Sequence, residues 1–288
     1  MDSAANIAVT VTASIATLLI VSLGLAVIFG MMRIINLAHG EFLMIGAFTV
    51  VELVRNAILP IWAAILVAPL VAGAIGAVVE VVLIRPLYGR RLLDTLLVTF
   101  GLSLVLFQIA VNVFGTTPPG ISTPLGHFRV GRYSQADYTL VTIGFAVVVA
   151  VVVYLVFTRT RYGVIARATT QNPAMAAALG VDARRTNLYT FTFGCALAGL
   201  AGGMIAPTVG VSPALGQAYI AQSFMTVVAA GPSFLLGTVG SSALLGGVAN
   251  LVSQLFTTFY GQAALLGAAI LLLRFRPQGL SGRWKRQL

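Results

Sequence analysis

The residues with the most chemical capacity stand together in "NLAHGEF", where Asn36, His39 and Glu41 offer an amide, an imidazole and a carboxylate within six positions. A zinc hydrolase of the H-E-x-x-H type needs two histidines one helical turn apart, with the glutamate as base. That spacing is absent, and the other histidine, His127, lies far along the chain. Two roles remain for the trio: hydrogen bonding that fixes the turn into the next apolar segment, or contact with a solute or gate. Ionisable groups inside a membrane segment are costly and pair with a partner or face a cavity. Gln108 and Asn112 share a helix face at i,i+4. They suit either a polar path or a bond between helices. Glu80 and Arg85 predict an ion pair, at i,i+5 or across helices. Cys195 is the lone cysteine, so one chain forms neither a disulfide framework nor a cysteine metal cluster. The only lysine is Lys285, near the end of the chain, so no Walker A loop exists and the chain is not expected to be an ATPase or other enzyme.

The elements that position these residues are apolar. Of 288 residues, 59% are hydrophobic and 8% charged, against about 25% charged in soluble domains. Apolar runs of membrane-spanning length recur without the period-two alternation of a barrel. The first thirty residues carry Asp2 where a signal peptide is basic, and the run over 7–30 is long for one, so it is read as a first span. Further spans are predicted at 39–54, 61–84, 96–115, 138–157 and 188–209. The segments 220–230, 243–258 and 263–273 are short and suggest discontinuous or re-entrant helices. The fold class is therefore an all-α, polytopic membrane bundle of about eight to ten apolar elements, forming a single domain over 1–288.

The net charge of +10 would suggest nucleic acid in a soluble protein; here its placement argues for topology. Fourteen of the seventeen basic residues fall in 31–37, 85–94, 158–186 and 274–288. Placing those segments in the cytoplasm satisfies the positive-inside rule. The Pro- and Gly-rich stretch 115–136 then lies outside. Nine crossings from an outside N-terminus bring the basic tail, 274–288, into the cytoplasm; eight from an inside N-terminus do so too, but only by moving 31–37 outside. Small-residue clusters, "GCALAGLAGG" and "GSSALLGG", let helix backbones approach closely.

One cytoplasmic loop, about 158–187, holds "TTQNPAMAAALGVDARR". Asn172 is suited to N-cap a helix, Pro173 to its first position and Gly180 to a left-handed stop, which predicts a two-turn helix over 173–179. Ala174, Met175, Ala176, Ala177, Ala178 and Leu179 fill it, and its apolar face, with Met175, Ala176, Leu179 and neighbouring Val181, suits either a socket on another protein or the headgroup layer of a lipid bilayer.

This loop, from Arg159 to Asn187, resembles the cytoplasmic loop of the permease subunits of ABC importers for branched-chain amino acids and urea. "GLAVIFGMMRIINLAHGEFLMIGAF" resembles that family's first signature and "RFRPQGL" its terminal one. The resemblance implies that residues 172–180 form a coupling helix docking on an ATPase. It also implies a second homologous permease subunit, two ABC ATPase subunits that use ATP and Mg, an extracytoplasmic solute-binding protein, no cofactor in this chain, and the bacterial inner membrane as location. Asn36, His39, Glu41, Gln108 and Asn112 are the candidates for a solute path or gate. "TQNPAMAA" and "VSPALGQAYIAQSF" are more similar to the urea branch, which makes urea or a short amide the expected cargo and a branched-chain amino acid the alternative. A stand-alone channel or an ion-coupled carrier is the rival class. "VVAAGPSFLLG" departs from the glycine-rich segment usual at that place in the family.

Overall fold

The computed structural model describes residues 2–90, 92–116, 120–130 and 133–282, so Arg91, Arg132 and the last six residues of the basic tail, with Lys285, lie outside the described residues. It is a bundle of helices: α1 (Asp2–Met32), α2 (His39–Arg55), α3 (Ile61–Val79), α4 (Leu92–Phe114), α5 (Asp137–Arg159), α6 (Arg161–Gln171), α7 (Pro173–Ala178), α8 (Ala183–Ile205), α9 (Leu215–Ala230), α10 (Phe234–Leu255) and α11 (Thr258–Phe275). Among the described residues, one antiparallel hairpin, β1 (His127–Val130) with β2 (Tyr133–Ala136), lies between α4 and α5 and pairs His127 with Ala136.

Seven of these helices, α1, α3, α4, α5, α8, α10 and α11, are long and apolar enough to cross a membrane. α2 and α9, with 17 and 16 residues, reach only about 24–26 Å at 1.5 Å per residue, short of the roughly 30 Å core. The spacing of contacts fixes their depth. Nε2 of His39, at the start of α2, lies 3.1 Å from the carbonyl of Val21, near the middle of the span Ala4–Met32. A Cβ on Gly40 would fall 2.3 Å from the carbonyl oxygen of Gly216, at the start of α9. Both short helices therefore begin at mid-depth, and they run to opposite sides. Residues 33–38 link α1 to α2 and residues 206–214 link α8 to α9.

The sequence assigned a full span to 39–54 and short elements to 243–258 and 263–273, and the structure corrects both. α10 and α11 are full-length. The glycines and serines of α10 lower its apolarity but serve packing: Gly246 sits against Ile15 of α1 and Gly237 against the Ala230 carbonyl.

The bundle carries an inverted internal repeat. α1 packs antiparallel on α10, with Thr10 near Asn250 and Gly30 against Phe234. α3 packs antiparallel on α8, with Gly76 against Cys195 and Gly203 against Ala68 and Ile65. α1 corresponds to α8, α2 to α9 and α3 to α10, and the axis passes where Gly24 meets Gly194. Small residues make these approaches possible: a Cβ on Gly202 would lie 1.9 Å from the Leu43 carbonyl. The main core, with Phe42, Leu43, Ala47, Phe191 and Ala198 fully buried, fills the space between α2, α3 and α8.

Candidate functional site

The connection between α5 and α8 holds two short helices, α6 and α7, and α6, α7 and α8 each start from a side-chain cap. The Thr160 hydroxyl accepts from the Gly163 amide at 3.2 Å and starts α6, a helix of eleven residues not predicted from the sequence. The Asn172 side chain accepts from the Met175 amide at 3.0 Å and starts α7 with Pro173 in its first turn. Gly180, at φ 84, ends it. Such caps are worth about 1 kcal/mol each. Asp182 caps α8 through the amides of Arg184 (2.9 Å) and Arg185 (3.2 Å). Asn172, Pro173, Ala174, Ala177, Ala178 and Gly180 are exposed; Met175 and Leu179 are 59% and 78% exposed. Ala176, placed on the outward face by the sequence, is buried inward instead, because Val181 folds back through its amide onto the Ala176 carbonyl at 3.0 Å.

The loop is tied to the spans at two points. The Thr170 hydroxyl donates to the carbonyl of Met31, the last turn of α1, and the Tyr162 hydroxyl is 2.7 Å from that of Thr190 on α8. Burial raises the pKa of Tyr162, so it stays neutral as a hydrogen-bonding tie. Nearby, a π-helical turn (Glu80–Ile84) stacks residue i+5 over residue i and creates the expected Glu80–Arg85 pair at 2.9 Å. Tyr88 donates to the same carboxylate at 2.5 Å, and burial beside Glu80 holds its hydroxyl protonated.

A third feature joins two motifs. The turn after α9 places Gly231 at φ 78 against Gln278 and Gly279, the latter at φ 71. Ser281 donates to the Ala230 carbonyl at 2.6 Å and accepts from the Ser233 amide at 2.9 Å. "AAGPS" and the terminal "RPQGLSG" are two halves of one clasp, and the departure noted in the sequence is a well-formed turn.

The mid-depth cluster lies at the start of α2, where Gly40 meets Gly216 of α9. After α1 the backbone reverses at Arg33, at φ 55, a left-handed non-glycine position costing of order 1–3 kcal/mol. Thr99 of α4 holds the returning strand, accepting from the Leu37 amide at 3.2 Å and lying 3.1 Å from the Ile35 carbonyl. Asn36, His39 and Glu41 are each 1% exposed. Ser103 of α4 donates to Glu41 Oε1 at 2.9 Å. The other Glu41 oxygen, His39 Nδ1 and both amide atoms of Asn36 carry no partner. A buried polar atom left so costs about 1–3 kcal/mol. Gln108 and Asn112 bond each other at 3.0 Å on the exposed face of α4 and do not join this cluster. Ser103, which bonds Glu41, was not among the sequence candidates, and nothing local marked it.

The family described as the permease component of branched-chain amino acid transport systems matches residues 7–274, and the chain belongs to it. The chain is 29% identical to the high-affinity branched-chain amino acid permease protein BraD of Pseudomonas aeruginosa, over 93% of this chain and 92% of that one. Its identity to LivH of Escherichia coli is 27%, over 93% and 92% of the two chains. To the LivM permease protein of the same organism it is also 27%, over 96% of this chain and 71% of that one. No solved structure gives a significant match.

Proposed function

We propose that this member of the branched-chain amino acid permease family is one of two permease subunits of an ATP-driven importer in a bacterial inner membrane, and that its cargo is a branched-chain amino acid. The observation that carries the reading is near full-length similarity to permeases named for that cargo. It supports the alternative weighed in the sequence over urea. The first segment that suggested urea has other work: Thr170 ties α6 to α1, and Asn172 to Ala177 cap and form α7.

ATPase closure acts on α7, whose exposed Met175 and Leu179 enter a groove of the ATPase. The displacement passes through Thr170 to the end of α1, then along residues 33–38 to the start of α2, and opens the mid-depth cluster to alternate sides. Similarity to both LivH and LivM supports a second, homologous permease as partner. Gln108 and Asn112 face that partner, where a polar pair finds bonds that lipid does not offer. A binding protein delivers solute from outside.

The test is a deletion strain supplied with labelled leucine or labelled urea at low concentration. Loss of leucine uptake alone is expected. Loss of urea uptake alone would restore the urea reading, and unchanged leucine uptake would overturn the cargo proposed here.

A further inference from the structure

We propose that the junction of α2 and α9 is a transient binding site for the charged ends of a zwitterionic α-amino acid, with Glu41 receiving the ammonium and the two half-helix N-termini, with Asn36, receiving the carboxylate. This assignment rests on the reading of the chain as an amino acid permease.

Three observations carry it. First, the two half-helices start alike. Ala38 and Ala214 occupy the N-cap positions with φ −75, ψ 1 and φ −77, ψ −3, and neither start has a side-chain cap. The amides of His39, Glu41 and Phe42 and those of Leu215 and Ala218 bond the carbonyls of Asn36, Ala38, Ser212 and Ala214, so it is Gly40, Gly216 and Gln217 that offer amides there, where the dipole favours an anion. Gly40 and Gly216 bring the two starts together, each glycine against the backbone of the other. Two N-termini thus converge from opposite directions on one place at mid-depth, as at the binding sites of transporters built on broken helices.

Second, the polar side chains at that place have capacity to spare. Asn36 is buried with donor and acceptor both unpartnered, and Glu41 and His39 each keep one unpartnered atom. The set includes a donor for a carboxylate and acceptors for an ammonium, the two faces of a zwitterion.

Third, charge separates Glu41 from the other buried carboxylate. Glu80 is neutralised by Arg85. Among the described residues no cation pairs with Glu41, only the Ser103 hydroxyl. A carboxylate at membrane depth without a resident counter-ion fits one supplied by cargo. Exposed Ala214 and Gln217 open one side of the junction to the molecular surface.

The experiment uses the full importer, this chain with its second permease, ATPases and binding protein, reconstituted in vesicles and supplied with labelled leucine. Wild-type uptake tests the cargo reading on its own. If it is present, Glu41→Gln is expected to lower uptake at least tenfold while the complex assembles normally by size exclusion. Glu41→Asp, which keeps the charge, is expected to stay within about threefold of wild type. Wild-type uptake by Glu41→Gln would overturn the site. So would failed assembly of that variant, which would make Glu41 a structural tie to α4, or an Asp variant as inactive as the Gln variant.

Discussion

Glu80 and Glu41 are both buried among the described residues, yet their surroundings differ enough to separate structure from function. Glu80 is satisfied three times over, by two nitrogens of Arg85 and by Tyr88. Removing one partner of such a pair leaves a buried charge exposed to the full desolvation cost. Arg85→Ala is therefore expected to destabilise the protein by about 3 kcal/mol, the low end of the usual range because Arg85 is partly exposed. Glu80→Gln in the same background is expected to recover most of the loss. Thermal unfolding in detergent checks both; a double variant no more stable than Arg85→Ala would mean that the arginine acts elsewhere. The pair was legible from an acid and a base five apart. Its geometry was not, since a π turn leaves no mark in residue spacing alone. That Glu41 has a hydroxyl and no cation beside it was equally hidden, because Ser103, which bonds it, comes from another helix 62 residues away.

The elements divide between those that local signals specify and those that need their neighbours. α7 is of the first kind: Asn172, Pro173 and Gly180 mark its start and stop, and the structure places a short helix there. What local signals misjudged was its orientation, since Ala176 turns inward once Val181 folds back. The outward face is thereby reduced to Met175 and Leu179, which sharpens the coupling proposal. Leu179→Glu is expected to leave the melting temperature within about 2 °C, since surface changes usually stay within about 0.5 kcal/mol. The same change should cut ATPase co-purification and uptake at least tenfold. Retained co-purification would send α7 back to the lipid surface. α2 and α9 are of the second kind. As isolated sequences they are merely short apolar segments. Their role comes from the close approach of Gly40 to Gly216, and of Gly46 to Gly199, where a Cβ would lie only 2.0 Å from a carbonyl oxygen.

At the scale of the molecule, the sequence specified an all-helical membrane bundle, because hydrophobicity is read directly by the bilayer. The inverted repeat escaped it. The two halves share little beyond A-x-G followed by Glu or Gln at 38–41 and 214–217, and mid-depth backbone is tolerated only because partners from the whole bundle bury it. The repeat makes a claim about topology that charge alone does not. If residues 33–55 and 206–230 are both full crossings, the chain crosses nine times, and the loop after α2 lies opposite the loop before α4. If either short helix turned back, every later loop would change side. Cys195 is buried and replaceable by alanine as a background, so single cysteines can report each loop to a membrane-impermeant maleimide. A cysteine at exposed Ile58 is expected to react in intact cells. Cysteines at exposed Gln171 and Pro232 are expected to react only after permeabilisation. Protection of Ile58 would reduce α2 to a re-entrant element, and labelling of Pro232 from outside would do the same for α9. Either result would remove the convergence of two N-termini that gives the mid-depth cluster its chemistry.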